Sequence, residues 1–555
     1  MSTPTDDRPH VIKMGLAAIW VIFLCKGIFY SLLFPIWEGF DEYAHFAFIQ
    51  YLAIHHHLSV PDTRVSHEID RSLELVPLPR ALSHLASPHV THDTYWHLSS
   101  EERSSRQRDL LQIPRAWQAV PGDSYLYEGQ QGPLYYWLMS PIYSLIQKMS
   151  LPSRVFIFRL LNVLLASSVL PIAFLAAKRV FSDDQMAIGV CALITAMPEL
   201  YIDVSRVGNQ VLAMVFFGLF TWLCLSVVGG GARCLILAGA VLGLLLLTKA
   251  YGLAGIPALV VVAIYFVRNS SLNKLRSVLA SLASLAVAAL IGGWWFLRNF
   301  KLAGAIIWVG GTPSGGISVE TFTSIKNVSW VSAFHSLFGS HIWIGNWSFL
   351  GVRSWMYEVF QYVTVLIAAG ILLLIIRGFG SNSPDSLLIR RSYLLVLLMI
   401  YGGFLGSIAY HVLVNFISSK ISASSGWYLY AVVVPEAILA IAGLFAFRWG
   451  KSILIGVIAC FALLEIYATH WILIPYYTGL IAHRPDGGLQ AFYLSQVKTI
   501  GILELLARLE INRPSFLTNV TLIGSWSLFI TTTLALAFVS GKYLLKQPLK
   551  NSRRS

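Results

Sequence analysis

Long apolar runs separated by shorter polar breaks dominate the hydropathy pattern of this 555-residue chain. A helix of about 20 apolar residues is long enough to cross a bilayer. By that criterion the pattern predicts an all-α polytopic membrane protein with about twelve transmembrane helices. They are expected near residues 13–34, 155–177, 186–203, 209–228, 232–248, 250–267, 275–297, 357–377, 391–413, 427–447, 451–470 and 517–540.

The basic residues divide the polar breaks into two sets. With residue 1 in the cytoplasm, every predicted cytoplasmic segment is cationic, as the positive-inside rule requires. These segments carry Lys178 and Arg179, Arg233, Arg268, Lys274 and Arg276, Arg377, Arg390 and Arg391, Arg448 and Lys451, and the tail from Lys542. We therefore expect a multi-pass protein of the plasma (inner) membrane with both termini in the cytoplasm.

The longest polar breaks all fall on the opposite, extracytoplasmic side. Loops of this length are uncommon unless they fold or bind something, so this face is expected to carry the function. We expect one transmembrane domain over residues 1–555, with outer loops at 35–154, 298–356, 414–426 and 471–516. In the first loop the pattern predicts a helix over 41–57 and an interfacial amphipathic helix within 125–149.

Composition supports the membrane assignment and narrows the possible partners. Hydrophobic residues make up 56% of the chain and charged residues 12%, whereas soluble domains carry about 25% charged residues. The net charge of +13 is explained by the cationic cytoplasmic segments, so nucleic acid is not expected as a partner. The five cysteines lie in apolar segments, which argues against a disulfide framework or a thiolate metal site.

Two adjacent acids follow the first predicted span and form the leading candidate site. On a helix, Asp41 and His45 share one face, and Glu42 lies beside them. A carboxylate at a low-dielectric boundary tends to have a raised pKa, which suits a general base near neutral pH. The alternative is that Asp41 caps the helix and that both acids favour its positive end.

Three cations and one tyrosine lie at predicted outer helix ends. Arg206, Lys249 and Arg298 are placed to receive a phosphate or diphosphate together. Each is equally explained as a basic side chain reaching for the membrane surface. Tyr428 offers an aromatic ring to a sugar or lipid, although interfacial tyrosines are also the ordinary aromatic belt.

Other polar residues are candidates for metal ligands or for buried charges. His55, His56, His57 and the later histidines up to His97 lack a ligand-like spacing, which favours a solvated loop over a metal site. Lys26 and Glu436 fall inside predicted spans, where a charge is either functional or one half of a structural pair.

Several segments, in chain order, resemble landmarks of the GT-C superfamily of membrane glycosyltransferases. The acidic pair and the helix after it resemble the first outer loop of the glycosyltransferase 39-type branch, which includes lipid A aminoarabinose transferases and protein O-mannosyltransferases. Later matches are Glu128-Gly-Gln-Gln-Gly-Pro-Leu-Tyr-Tyr, Lys249-Ala-Tyr-Gly-Leu, Trp294-Trp-Phe-Leu-Arg-Asn and Gly426-Trp-Tyr-Leu-Tyr. Gly132 stands where proline is usual, and Trp427 where arginine is commoner. The resemblance spans most of residues 13–450, and we expect none of the C-terminal soluble domain that some relatives carry.

The resemblance implies a polyprenyl-phosphate-linked sugar donor and an acceptor hydroxyl of a glycan, lipid or protein on the outer face. Asp41 would be the general base of an inverting transfer, with Glu42 assisting. The leaving phosphate would meet some of the substrate-binding residues, which are His45, Arg206, Lys249, Arg298 and Tyr428. An oxocarbenium-like centre needs a nearby carboxylate, and a departing phosphate needs fixed cations. No cofactor is implied with certainty, and a divalent metal stays open.

Two other kinds of protein share parts of this pattern. A lipid-linked oligosaccharide polymerase, ligase or flippase would use the same outer face. A secondary transporter would place its polar sites near the bilayer midplane on broken helices. The polar mass outside the membrane favours the transferase.

Overall fold

The computed structural model describes residues 8–85, 90–306, 308–309, 312–313, 323–380, 389–514 and 516–545. Most of these residues are α-helical. The α-helices are Arg8–Leu33, Glu42–His55, His67–Leu75, His92–Tyr95, Ser100–Leu111, Leu134–Ile146, Leu151–Ser167, Val169–Val180, Asp184–Ala196, Pro198–Val204, Gln210–Val228, Ala232–Leu246, Ile256–Asn269, Lys274–Ala288, Trp294–Ala303, Trp330–Ile342, Ser354–Gly380, Arg391–Ser419, Val433–Phe445, Gly450–Ala468, Ile474–Tyr477, Leu494–Ile500, Ile502–Leu509 and Asn519–Leu545.

Short irregular helices and four small strands complete the secondary structure. The 3₁₀ helices are Arg80–Leu85, Arg115–Gln118, Tyr127–Gln130, Ala250–Gly255, Asn346–Ser348 and Gly426–Val432, and the π-helical turns are Ala289–Gly293 and Thr469–Leu473. The strands form two antiparallel pairs, Arg64–Ser66 with Pro121–Tyr125 and Trp308–Val309 with Thr312–Pro313.

The membrane-spanning helices confirm an all-α multi-pass protein but not the count of twelve. Within the described ranges, ten helices are long and apolar enough to cross a membrane. An eleventh crossing is the pair Asp184–Ala196 and Pro198–Val204, which bends by 68°. Pro198 lacks an N–H and breaks the helical hydrogen-bond ladder at the bend. The predicted span 232–248 is only the 15-residue helix Ala232–Leu246.

Both charges noted inside predicted spans belong to pairs, a buried one for Lys26 and a partly buried one for Glu436. Lys26 Nζ lies 2.8 Å from Glu465 Oε2 and donates to the Thr195 carbonyl at 2.9 Å. Glu436 Oε1 lies 2.8 Å from His341 Nε2. The structural alternative therefore holds for Lys26 and Glu436. The sequence does not reveal Glu465 as a partner, because Lys26 lies more than 400 residues away from it along the chain.

The segment predicted as the first outer loop folds into a layer with its own hydrophobic cluster, which includes Trp37, Phe46, Phe48 and Tyr136. The predicted helix over 41–57 is Glu42–His55, and it packs against Leu134–Ile146. That second helix buries Tyr135, Tyr136 and Tyr143 and exposes Trp137, Leu138 and Leu145, so its predicted amphipathic character is confirmed. Glu68 and Arg154 close the layer with two buried hydrogen bonds of 2.5 and 3.1 Å.

Two histidines of this segment, His57 and His92, are held by side-chain contacts. No group of three or more metal-ligating side chains occurs in the described part of the chain. His57 contacts the Tyr51 hydroxyl at 3.0 Å, and His92 lies 2.9 Å from Glu38. Because His92 is buried, the expectation of a solvated loop is wrong at that position. His89 lies outside the described residues.

Candidate active site

The acidic turn, residues Trp37–Asp41, connects the first membrane helix to the helix Glu42–His55. Trp37 (φ 65°) and Asp41 (φ 54°) both adopt left-handed backbone conformations, which non-glycine residues rarely do. Hydrogen bonds hold the turn in this shape, because Trp37 N donates to Glu42 Oε2 at 3.1 Å and Arg206 Nη1 donates to the Phe40 carbonyl at 2.6 Å. Backbone strain that is held in this way is typical of functional sites.

Asp41 occupies the N-cap position, yet its side chain makes no capping hydrogen bond. The capping alternative for this residue is therefore wrong. The side chain is partly exposed, whereas the nine residues after it are buried. Burial of the surrounding site raises the pKa of Asp41, although the cations of Arg206 and Lys249 oppose the rise. Asp41 thus presents an uncommitted carboxylate of raised basicity.

Glu42 is fully buried and fully hydrogen-bonded. Its Oε1 accepts from Arg159 Nε at 2.7 Å and from Val207 N at 3.0 Å. Its Oε2 accepts from Arg159 Nη2 at 2.5 Å and from Trp37 N at 3.1 Å. A carboxylate oxygen with two donors has no lone pair left for a substrate. This geometry favours a positioning role beneath the acidic turn, while the catalytic role expected of Glu42 from the sequence stays a prediction.

Arg206 is clamped beneath the same turn. Its Nε and Nη2 donate to Asp203 Oδ1 at 3.1 and 2.5 Å, and its Nη1 holds Phe40. Two glycines make room for it: a Cβ on Gly39 would lie 2.5 Å from Arg206 Cβ, and one on Gly208 would lie 2.6 Å from Arg206 Nη1. Arg206 therefore acts on Asp41 mainly as a fixed positive charge.

Gly39→Ala should disturb the site by pushing on Arg206. The new methyl group would meet the rigid start of that side chain, and such overpacking typically lowers the free energy of unfolding by about 1–3 kcal/mol. We expect a lower thermal unfolding temperature and reduced activity. Gly406→Ala is the control, because a Cβ there meets nothing within 4 Å. Equal stability of the two variants would contradict the clamp.

Lys249 supplies a positive charge that the protein does not neutralise by direct contact. It precedes the 3₁₀ helix Ala250–Gly255, and its Nζ lies 4.8 Å from the centre of the Tyr251 ring. Among the described residues it forms neither an ion pair nor a side-chain hydrogen bond. Burial lowers the pKa of Lys249, while the carboxyls of Glu128 and Asp41 oppose that effect. An anionic ligand would complete its coordination.

Glu128 belongs to the site, although in the sequence it stands out only as part of a motif. It lies in the 3₁₀ helix Tyr127–Gln130, and its side chain is buried. Its Oε2 has no hydrogen-bond partner among the described residues and lies 3.8 Å from His45 Nδ1. Burial and the neighbouring Asp41 carboxylate raise the pKa of Glu128 to about 8. The sequence signal that points to Glu128 is a carboxylate just before the aromatic stretch of the predicted first outer loop.

His45 is buried at the floor of the site, four residues after Asp41. Its Nδ1 lies 2.8 Å from the Tyr136 hydroxyl. Burial and the charges of Lys249 and Arg206 hold the pKa of His45 well below its usual range. The imidazole is therefore neutral at physiological pH and lines the site without adding charge.

Tyr428 is also brought to the site, by the 3₁₀ helix Gly426–Val432. Its ring centre lies 5.4 Å from that of Tyr251. The adjacent Trp427 stacks on Phe40 of the acidic turn, with ring centres 3.7 Å apart and an interplanar angle of 9°. Trp427, where arginine is commoner in the resembled family, thus supports the turn through aromatic stacking.

Arg298 is engaged elsewhere through part of its guanidinium, while its Nη1 has no hydrogen-bond partner among the described residues. Its Nη2 donates to the Ser59 carbonyl at 2.5 Å, and its guanidinium lies 4.8 Å from the Trp295 ring centre. The cations that act most strongly on Asp41 and Glu128 are Arg206 and Lys249. Of the three cations predicted to bind phosphate, Arg206 is thus a clamped guanidinium and Lys249 an ammonium without an ion pair in the described part of the chain, and the role of Arg298 stays a prediction.

The assembled site consists of two carboxyls, Asp41 and Glu128, that interact electrostatically with the ammonium of Lys249. His45 and Tyr428 line it, and the ion pairs of Glu42 with Arg159 and of Asp203 with Arg206 hold its base. This arrangement is able to accept a proton and to bind an anion in one place.

Comparisons with known proteins give distant structural similarities. No family model matches the chain, and neither does any curated protein. Among solved structures it is similar to ArnT from Cupriavidus metallidurans bound to undecaprenyl phosphate, with 14% identity, a TM-score of 0.40, and coverage of 89% of this chain and 75% of that one. The apo form of that protein gives 15% identity, a TM-score of 0.37, and coverage of 85% and 74%.

An oligosaccharyltransferase from Archaeoglobus fulgidus, in its apo form, is also similar. It shares 12% identity with a TM-score of 0.40, covering 94% of this chain and 56% of that one. At these identities and scores the likeness assigns no residue and no substrate, and the roles proposed below rest on the geometry of this chain.

Proposed function

We propose that this protein is a membrane glycosyltransferase that transfers a sugar from a polyprenyl-phosphate-linked donor to an acceptor hydroxyl. The observation that carries the proposal is the uncommitted Asp41 carboxylate beside the unpaired Lys249 ammonium. Sugar transfer from a lipid phosphate needs both, because one group takes a proton from the nucleophile and the other receives the phosphate.

In the proposed reaction, Asp41 accepts the proton of the acceptor hydroxyl as its oxygen attacks the anomeric carbon. The phosphate leaves from the opposite face, so the configuration at that carbon is inverted. Lys249 binds the departing phosphate, and Arg206 adds positive charge from its clamped position. Tyr428 and His45 line the space for the sugar. The acceptor is a glycan, lipid or protein.

The same proposal sets the orientation in the membrane. The acidic turn lies at the extracytoplasmic end of the first helix, and both termini lie on the cytoplasmic side of the plasma (inner) membrane. This orientation is supported by the basic residues of the short segments that lie across the membrane from the acidic turn, because cationic segments stay in the cytoplasm.

A flippase or transporter is the second candidate, because one observation favours it. The crossing formed by Asp184–Ala196 and Pro198–Val204 is broken, as substrate-binding helices of transporters often are. However, each of its two acids has one oxygen that is held locally: Glu199 Oε2 accepts from Ile344 N and Gly345 N at 2.9 and 3.2 Å, and Asp203 Oδ1 pairs with Arg206. Their other oxygens have no hydrogen-bond partner among the described residues. The pairing of a carboxyl with an ammonium that has no ion pair occurs at Asp41 and Lys249 instead, which favours transfer.

Transfer is tested with the purified protein in lipid nanodiscs, supplied with undecaprenyl-phosphate-linked sugars and membrane extract as the acceptor source. We expect release of undecaprenyl phosphate together with a glycosylated product. The size of the product distinguishes single-sugar transfer from an oligosaccharide polymerase or ligase. Movement of the donor across sealed vesicles without any product would replace the transferase by a flippase.

Lys249→Met should weaken binding of undecaprenyl phosphate. A charge-assisted hydrogen bond contributes about 1.5–3 kcal/mol, which corresponds to a rise in Kd of about 10- to 100-fold. Titration of the nanodisc-embedded protein with undecaprenyl phosphate measures this directly. Lys301→Met removes the same charge from an exposed side chain and serves as the control. If both variants bind as the wild type does, Lys249 is not the phosphate ligand.

A further inference from the structure

We infer that Glu128 is a second acid–base residue of this site: it carries a proton in the resting protein and delivers it to the departing phosphate. This inference rests on the proposed function and assigns to Glu128 a step that is separate from the base role of Asp41. Three observations support it: the pairing of charges in the site, the Glu128 oxygen that lacks a hydrogen-bond partner, and the groups that surround the Glu128 side chain.

The charges around the site do not cancel if both uncommitted carboxyls are ionised. Glu42 is neutralised by Arg159, and Asp203 by Arg206. Asp41 and Glu128 are then left with a single unpaired ammonium, that of Lys249. One negative charge too many in a buried site is unfavourable, and it would also repel a phosphate. The site becomes neutral when one of the two carboxyls binds a proton.

Glu128 is better suited than Asp41 to hold that proton. It is only 4% exposed, whereas Asp41 retains contact with solvent. Its Oε2 has no hydrogen-bond partner, and the 3.8 Å to His45 Nδ1 is too long for a hydrogen bond. A carboxylic acid there is a donor that awaits an acceptor, and a phosphate oxygen bound by Lys249 would be one.

The surroundings of Glu128 favour its neutral form. Burial and Asp41 raise its pKa to about 8, while Lys249, Arg206 and a hydrogen bond from Gln131 oppose the rise. Burial keeps His45 and the phenols of Tyr43, Tyr127 and Tyr136, which surround it, neutral at physiological pH. The phenols of Tyr251 and Tyr428 also lie near it. Glu128 therefore carries a proton at neutral pH and loses it as the pH rises through about 8.

The proton balance of the step is complete. The acceptor oxygen forms its bond to the anomeric carbon and gives its proton to Asp41. The bond from that carbon to the phosphate oxygen breaks, its electron pair stays on the phosphate, and the phosphate takes the proton of Glu128. Asp41 ends protonated and Glu128 ionised, so its new charge helps to expel the phosphate. Passage of one proton from Asp41 to Glu128 through solvent restores the resting state.

The test compares pH–rate profiles of undecaprenyl phosphate release by the wild-type protein and by Glu128→Gln in nanodiscs. The wild-type rate should fall above pH 8, as Glu128 ionises. In Glu128→Gln this alkaline fall should disappear, and kcat should drop by about 100-fold, the lower end for general acid catalysis. Glu101→Gln, at an exposed position, is the control.

Two further measurements test whether Glu128 holds and delivers the proton. Infrared difference spectra should show a protonated carboxyl band at neutral pH that Glu128→Gln loses and Glu101→Gln keeps. If Glu128→Gln does not fold, Glu128→Asp should move the alkaline limb to another pH. An unchanged alkaline limb in a folded Glu128→Gln, with normal transfer by the wild type, would overturn the proton delivery alone. Absence of transfer by the wild type at every pH would overturn the proposed function and this step with it.

Discussion

Asp41→Asn should abolish sugar transfer while leaving the fold and the binding of undecaprenyl phosphate intact. Removal of a general base lowers kcat by about 10²- to 10⁴-fold. Asparagine has nearly the same shape and is among the residues that best tolerate the left-handed conformation found at this position. Since the Asp41 side chain caps nothing, no native hydrogen bond is lost.

The stability of this variant has a predicted sign. The pKa of Asp41 is raised in the folded protein, so its ionised form is less favourable there than in the unfolded chain. At neutral pH, ionised Asp41 therefore opposes folding, and removing its charge should leave the unfolding temperature unchanged or higher. Function gained at the expense of stability is typical of catalytic groups.

The measurement is the rate of undecaprenyl phosphate release, with unfolding temperature and ligand binding recorded on the same samples. Asp62→Asn, an exposed aspartate of the same outer loop, is the control and should retain full activity. The wild-type rate should rise with pH along an acid limb that lies above the ordinary aspartate pKa of about 3.9, because Asp41 works as a base only when ionised. Asp41→Asn with wild-type activity would remove Asp41 from the mechanism.

Sequence alone singled out the acidic pair but did not separate its two members. Asp41 and Glu42 are chemically alike and adjacent, and both lie at the start of the same helix. Their difference arises from Arg159, a residue 117 positions away that reaches Glu42 when the second membrane helix packs against the first. Such long-range pairing has no signature in the local sequence, so the sequence predicts a catalytic role for both Asp41 and Glu42.

The same limit explains why Glu128 stands out in the sequence only as part of a motif and why Arg298 resembles Lys249 there. Arg298 follows a predicted outer helix end, as Lys249 does, yet the fold directs its guanidinium to the carbonyl of Ser59. Glu128 lies in a loop without helical periodicity, and only its burial beside His45 makes it a candidate. Helical spans were predicted well, because twenty apolar residues in a row leave few alternatives.

Glu42→Gln should strongly destabilise the protein, in contrast to the substitution of the adjacent acid. It leaves the Arg159 guanidinium buried without a counter-ion, and breaking a buried pair in this way costs about 3–5 kcal/mol. The damage should spread to the acidic turn, since Glu42 also accepts from Trp37 N and Val207 N. We expect a large fall in unfolding temperature, measured in detergent micelles, and loss of transfer as a consequence.

A double variant separates the loss of the pair from the loss of a catalytic group. Arg159→Met combined with Glu42→Gln removes both charges and should recover a large part of the stability lost in Glu42→Gln, because no unpaired charge remains buried. If Glu42 only positions the turn, transfer should recover along with stability in the double variant. A protein that regains its stability but stays inactive would return Glu42 to the chemical step, where the sequence had placed it beside Asp41.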